Sequence, residues 1–169
     1  WFGYDCHKFT QGENIILGGV TIPHDKTIDA NSDGDVLIHA ICDAMLGACC
    51  KGDLGVHFNN SNTYKGISSV EILKKTIDII GKDSFSILNI DATIVTEEPN
   101  LKDYYEKIKS SVSKILSVDE NLLNIKSKTN DKLGFIGEKK GICVYACLMV
   151  DLKWFYILIL LLIWRKLVS

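Results

Sequence analysis

Asp5, His7 and His39 carry the side chains on which metal chemistry could be built. The stretch Phe2 to Phe9 alternates as a strand does, so Asp5 and His7, at i and i+2, point to one side. Asn31 to Gly47 packs polar residues and a glycine into a turn, then enters an apolar-periodic run that carries His39. Two ligands from a strand and one from a helix make three. The fourth tetrahedral position is then left for water or substrate, as in a catalytic rather than a structural zinc site. Two plainer readings compete: a hydrogen-bonded core histidine, and an Asp–His pair on an exposed strand face.

The helix that presents His39 is expected to take Ser32 or Asp33 as its N-cap. It would align Asp35, His39 and Asp43 on one face at successive i, i+4 steps, with Val36, Ala40, Met45 and Leu46 on the buried side. A carboxylate and an imidazole beside a helix N-terminus could hold metal and phosphate together. Calcium is the competing ion, because Asp29-x-Asn31-x-Asp33-Gly34 opens as an EF-hand loop does. That loop needs a Glu at its twelfth position, where this chain has Ala40, and Gly18 to Ile28 reads as strand and turn rather than helix. The EF-hand is set aside.

The elements that must position these residues follow from periodicity. Gly18-Gly19 divides two short apolar runs and reads as a tight hairpin, and Pro23 to Ala30 as a loop. Cys50 to Gly66 is a long polar segment, of a kind that is functional or disordered; Gly52 and Gly55 bracket Asp53, which suggests a backbone held close to something, or else a solvated turn. Ser68 to Gly81 is a helix with a serine cap and a glycine stop, and Leu101 to Leu116 a third, amphipathic one. Ser84 to Thr96, Leu122 to Thr129 and Gly141 to Leu152 read as strands, the first ended by Glu97-Glu98-Pro99. The loop Thr129 to Gly137 has polar groups able to face an anion. Strands and helices alternate, so the class is α/β in the broad sense (α+β), with one sheet covered by three helices.

With 169 residues, 47% hydrophobic and 24% charged, the chain suits one globular domain with a real core. A net charge of −2 argues against nucleic acid, whose binders carry a basic stripe. Six cysteines without C-x-x-C spacing read as small apolar fillers in a reducing compartment. A chain opening on Trp1 is expected to be a fragment or a processed form. The apolar run Trp154 to Trp164 would span roughly 16 Å as a helix, about half of a hydrocarbon core. It cannot cross a bilayer alone; interfacial anchor, partner-binding segment and gene-model artefact stay open for it.

Taken in order, Asp5-Cys-His7, Gly18-Gly-Val-Thr-Ile-Pro23, Ser32-Asp-Gly-Asp-Val36, His39, Leu46-Gly47, Gly52-Asp-Leu-Gly55, Tyr64-Lys-Gly66 and Lys132-Leu-Gly-Phe135 make a recognisable set. The chain resembles the 2-C-methyl-D-erythritol 2,4-cyclodiphosphate synthases of the non-mevalonate isoprenoid pathway from Trp1 to about Lys153, leaving 154–169 as an extension. The resemblance implies a homotrimer with active sites at subunit interfaces. It implies Zn²⁺ on Asp5, His7 and His39, and a second divalent ion, Mg²⁺ or Mn²⁺, on Asp131. The implied substrate is a CDP-linked methylerythritol 2-phosphate, whose phosphate attacks the β-phosphorus and expels CMP.

Position by position, the resemblance puts Asn31 and Ser32 at the reacting phosphate and Asp53 on methylerythritol hydroxyls. Gly55 and the loop Phe58, Asn59, Asn60, Ser61 and Asn62 would close over the site, with Lys65 beside them. Thr96, Pro99, Asn100 and Leu101 would line the cytosine pocket of a neighbouring subunit. Thr129 would donate to the diphosphate, flanked by Lys128 and Asp131. Phe135 and Glu138 match positions near the substrate and the trimer's centre. The chain departs from the family at Asn31 (for His), Asp131 (for a longer Glu), Glu138 (for a basic residue) and the shortened Asn59 to Asn62 loop. A degenerate zinc- and cytidine-nucleotide-binding trimer and a zinc phosphoesterase are the competing functions. A membrane-bound interaction protein is suggested by the tail alone. Composition rich in Lys, Asn and Ile, with the resemblance, implies a plastid-type organelle or a bacterial cytoplasm.

Overall fold

The computed structural model describes residues 1–59, 66–153 and 164 of the chain. Strand β1 (Phe2–Gln11) leads into a hairpin of β2 (Asn14–Leu17) and β3 (Val20–Pro23), then a short β4 (Lys26–Ile28). Helix α1 (Val36–Ala48) is followed by the single turn α2 (Leu54–His57) and by α3 (Ser69–Ile80). Then come β5 (Phe85–Val95), α4 (Tyr105–Leu116), β6 (Leu123–Lys128), the single turn α5 (Gly134–Gly137) and β7 (Gly141–Leu152). The fold is α+β: a five-stranded mixed sheet, ordered β4-β1-β7-β5-β6, with three main helices. Only β5 and β6 run parallel, joined through α4; the other pairings in the sheet are antiparallel.

The main core lies on one face of this sheet, and a small second cluster gathers Val95, Ile136 and Cys143. Along β7, Ile142, Val144, Ala146, Leu148 and Val150 are buried, while Tyr145, Cys147 and Met149 alternate to the exposed side. Helix α1 sits at the centre, against β1, β7 and α3. It is apolar nearly all round, as a helix enclosed on every side must be. Leu37, Ile38, Ile41 and Leu46 are fully buried, each contributing about 1.5–3 kcal/mol of burial. Gly3 sets how closely α1 approaches β1, because a Cβ there would stand 2.0 Å from the Ala40 carbonyl oxygen. That close crossing brings His39 over Asp5.

Several local expectations change. The N-cap of α1 is Asp35, not Ser32 or Asp33: its Oδ1 accepts from Ile38 N at 3.0 Å and its Oδ2 from Gly19 N at 2.7 Å. Asp35 is therefore turned into the protein, and Asp35, His39 and Asp43 do not form one functional row. Asp43 instead accepts from Leu54 N at 3.4 Å and ties α2 to α1. The Pro23 to Ala30 segment contains β4, which adds an edge strand to β1. The third helix begins at Tyr105 after a 3-10 turn over Lys102–Tyr104. Of the cysteines, Cys50 and Cys147 are exposed, and only Cys42 and Cys143 are buried fillers. The hairpin at Gly18-Gly19 and the Ser68 cap and Gly81 stop of α3 are as expected.

Candidate active site

Asp5, His7 and His39 come together as the spacing suggested, and their ligand atoms all lie within 4.8 Å of one another. His39 Nδ1 stands 3.0 Å from Asp5 Oδ2, and His7 Nε2 stands 3.2 Å from the same oxygen. The opposite nitrogen of each ring is already engaged. His7 Nδ1 lies 3.1 Å from the Asp29 carbonyl, which can only accept, so Nδ1 carries the proton. Ser69 donates its hydroxyl proton to Asp33 Oδ1 and offers its oxygen to His39 Nε2 at 3.0 Å. These partners turn both remaining ring lone pairs toward one carboxylate oxygen. Such a convergence of acceptors calls for a cation, either a proton on each ring or one metal ion. A histidine whose far nitrogen is held by a carbonyl or hydroxyl is the usual second sphere of a metal centre.

The electrostatics follow the geometry. Burial pushes the Asp5 carboxyl up, but hydrogen bonds from His39 and His7 outweigh it and hold the group below the usual carboxylate range. The Asp5 carboxylate in turn raises the pKa of His7 against the effect of burial. Asp35 is different: fully enclosed one helical turn before His39, it is pushed up to about 6 by burial, despite its backbone donors.

The remaining expected residues fall into two groups. Beside the triad, Ser32 Oγ lies 3.4 Å from His39 Nε2, and the Asn31 carbonyl accepts from Gly66 N at 2.7 Å. Asp53 is exposed and caps α2, its Oδ1 accepting from Val56 N at 3.0 Å; Gly55 is exposed within that turn. Phe58 is half-buried against the core and Asn59 is exposed. Asn60, Ser61, Asn62 and Lys65 lie outside the described residues, as does the tail apart from Trp164.

The second group gathers two and three strands away. His7 is opposite Ile142, Cys143 is opposite Val95, and Val95 is opposite Lys128. Thr96 and Thr129 therefore leave the sheet at the same end as His7, roughly 10 and 14 Å across it by strand spacing. Thr96 is buried, with its N–H donating to the Lys128 carbonyl at 3.0 Å. Leu101 is a core side chain, while Asn100 is exposed and accepts from Lys102 N at 3.0 Å; Pro99 is half-buried. Lys128, Thr129 and Asp131 are exposed. Phe135 is 48% exposed, with its ring against Gly141, and Glu138 pairs with Lys140 at 2.5 Å.

Ser69, Asp33 and Asp29, which orient the two imidazoles, were not singled out by sequence as site residues. Ser69 read as a helix cap and lies thirty positions from His39, so only the packing of α3 on α1 brings the two together.

The chain matches the YgbB family over residues 2–151. It is 45% identical over 150 residues to a 2-C-methyl-D-erythritol 2,4-cyclodiphosphate synthase of Clostridium botulinum, covering 88% of this chain and 97% of that one. It is 42% identical over 152 residues to the synthase of Fusobacterium nucleatum, covering 89% and 95%. Among solved structures it resembles the bifunctional IspDF of Campylobacter jejuni, with a TM-score of 0.84 and 36% identity; 89% of this chain matches 41% of that longer one. It also resembles IspF of Plasmodium falciparum in complex with CDP, with a TM-score of 0.77 and 32% identity, over 89% of this chain and 94% of that one. A sheet-and-helix frame that turns one carboxylate and two oriented imidazoles on a single point, and relatives aligned along nearly their whole length, lead to one placement: the chain belongs to the YgbB family of 2-C-methyl-D-erythritol 2,4-cyclodiphosphate synthases.

Proposed function

We propose that the chain cyclises 4-diphosphocytidyl-2-C-methyl-D-erythritol 2-phosphate to 2-C-methyl-D-erythritol 2,4-cyclodiphosphate with release of CMP, a lyase step of isoprenoid precursor synthesis. The observation that carries this reading is the convergence of Asp5, His7 and His39 with both outer ring nitrogens engaged, in a chain of this family. An oxygen of the 2-phosphate bonds to the β-phosphorus while the bond from that phosphorus to the bridging oxygen breaks, and CMP leaves with the electron pair. Positioning and charge neutralisation carry such a transfer, rather than covalent catalysis by the protein.

Asp5, His7 and His39 would hold the zinc, which supplies Lewis acidity and a template for phosphate oxygens. Asn31 and Ser32 donate hydrogen bonds to the 2-phosphate, and Asp53 accepts from methylerythritol hydroxyls. Gly55 and the Phe58 to Asn62 loop, with Lys65, cover that end. The Thr96 to Leu101 segment receives cytosine, and the Leu101 contribution is through its backbone, since its side chain is core. Thr129 donates to the diphosphate, Lys128 adds positive charge, and Asp131 would hold a second divalent ion, Mg²⁺ or Mn²⁺. Phe135 and Glu138 lie toward the assembly's centre.

The assembly is a homotrimer in this reading. Support comes from the sheet face opposite the helices, where Phe2, Tyr4, Leu88, Tyr145 and Met149 are all 41–59% exposed. An uncovered apolar face of this kind marks a protein contact. The roughly 14 Å between the triad and the Thr129 edge also favours a site completed by a neighbouring copy. Among the described residues no helix is long and apolar enough to cross a membrane. The curated relatives named above are bacterial, which supports a cytoplasmic setting; a plastid-type organelle is the other half of the proposal.

The test is CMP release from the CDP-linked substrate by wild type and His39→Ala at defined zinc and magnesium. Metal-dependent CMP and cyclic diphosphate from wild type alone are expected. Tight CDP binding with no CMP would leave a degenerate binding protein, and phosphate release instead of CMP a phosphoesterase.

A further inference from the structure

Glu97 lies within the Thr96 to Leu101 segment proposed to receive cytosine, yet its side chain turns to the other segment proposed to hold the nucleotide and is not among the contacts named above. It directly follows Thr96, and its Oε1 accepts two backbone hydrogen bonds, from Asn130 N at 2.9 Å and from Lys132 N at 3.1 Å. The residue between those amides, Asp131, has φ 52, and Lys132 has φ 63. Two consecutive non-glycine residues in the left-handed region are held only when the surroundings compensate. Here the compensation is an internal anion: alternate amides of a left-handed turn form a concavity for negative charge, and the Glu97 carboxylate fills it.

The rest of the turn is braced around that contact. Leu133 N donates to the Asn130 carbonyl at 2.9 Å, and Asn130 Nδ2 donates to the Leu133 carbonyl at 2.7 Å. Gly137 lies so close beneath that a Cβ there would stand 2.0 Å from the Lys132 carbonyl carbon. The neighbouring Glu98 does something else, pairing with Lys139, whose carbonyl accepts from Lys26 Nζ at 2.9 Å. Among the described residues Glu97 alone joins the 96–101 segment to the 129–133 turn by a side-chain hydrogen bond, next to the backbone bond from Thr96 N to the Lys128 carbonyl.

We propose that Glu97 is a positioning residue that locks the Thr129–Asp131 turn to the 96–101 segment, so that the groups for diphosphate and for cytosine are held at a fixed separation. The proposal rests on the functional reading above. It assigns Glu97 no contact with substrate. Glutamine at this position can still accept both amide protons; alanine cannot accept either.

The experiment compares wild type, Glu97→Gln and Glu97→Ala by amide hydrogen exchange, CDP binding and CMP release. In Glu97→Ala the Asn130 and Lys132 amides should exchange at least tenfold faster, and kcat/KM should fall about a hundredfold, the cost of a small misplacement. Bound zinc should be unchanged, and Glu97→Gln should restore exchange and most of kcat/KM. Unchanged exchange in Glu97→Ala would overturn the contact. Faster exchange with unchanged CDP affinity and kinetics would overturn the positioning role. Wild type that releases no CMP would overturn the functional reading, and the role in this reaction with it, while exchange still reports the contact separately.

Discussion

The two ends of the proposed site are built differently. Around His39 the side chains themselves are fixed: the residue is 9% exposed, and both ring nitrogens have partners, on β1 and α3. At the other edge Lys128, Thr129 and Asp131 are exposed, and it is the backbone that is fixed, by Glu97 and by the bond from buried Thr96 N to the Lys128 carbonyl. The three candidate metal ligands thus all come from one chain, on a strand and a helix pressed together at Gly3. In the proposed homotrimer a neighbouring copy would supply a second surface to the nucleotide end, brought there through the apolar sheet face of Phe2, Tyr4, Leu88, Tyr145 and Met149.

The largest effect should come from the metal end. His39→Ala or Asp5→Ala is expected to abolish stoichiometric zinc, read by elemental analysis, and to lower CMP release by at least about a thousandfold. Retained zinc with lost activity would mean that the triad is not the metal centre. Next, Tyr145→Asp places a charge on the exposed sheet face, where Phe2 and Tyr4 rings lie 6.0 and 5.1 Å from Tyr145. It should convert the assembly to monomers in sedimentation analysis and cut activity about a hundredfold, while each monomer keeps its zinc. Full activity in a monomer would show the nucleotide end to be complete in one chain.

Ser69→Ala removes the acceptor at His39 Nε2 and should weaken zinc affinity by about 10–100-fold in a chelator competition. An unchanged affinity would make the Asp33–Ser69–His39 chain a packing feature. The smallest effect concerns Asp35, whose side chain caps α1 and touches none of the three candidate ligands. Its pKa is raised by burial to about 6, above the ordinary carboxylate value, so the folded state holds the proton more tightly than the unfolded state between about pH 4 and 6. The stability contributed by the neutral form is therefore present below that window and lost as pH rises through it. Asp35→Asn, which cannot ionise, should gain on wild type by on the order of 1 kcal/mol between pH 4.5 and 7 in urea titrations. A constant difference would mean that Asp35 ionises freely in its cap.

Legibility differed in the same way between the two ends. Asp5 and His7 could be paired by strand alternation, and His39 placed on a helix by apolar period, because those are local rules. Asp35 was misjudged: it looked like a member of a polar row, but its place next to the tightly packed hairpin at Gly19 makes it an internal cap. Short β4 was hidden because three residues carry little periodicity and pair only through β1. Glu97 read as a strand terminator; its acceptor role depends on a turn more than thirty residues downstream.

By itself the sequence determined the order of the long strands and the three main helices, the three candidate metal ligands and the family motifs, since each is written in neighbouring residues. Tertiary structure decided which lone pairs meet. The tautomers of His7 and His39 depend on a carbonyl at Asp29 and a hydroxyl at Ser69, which only the closing of β1, α1 and α3 on one another brings within hydrogen-bond reach. Strand order likewise decided that Thr96 and Thr129, proposed to hold the nucleotide, lie strands away from Asp5 and His7, because β7, last in the chain, inserts between β1 and β5.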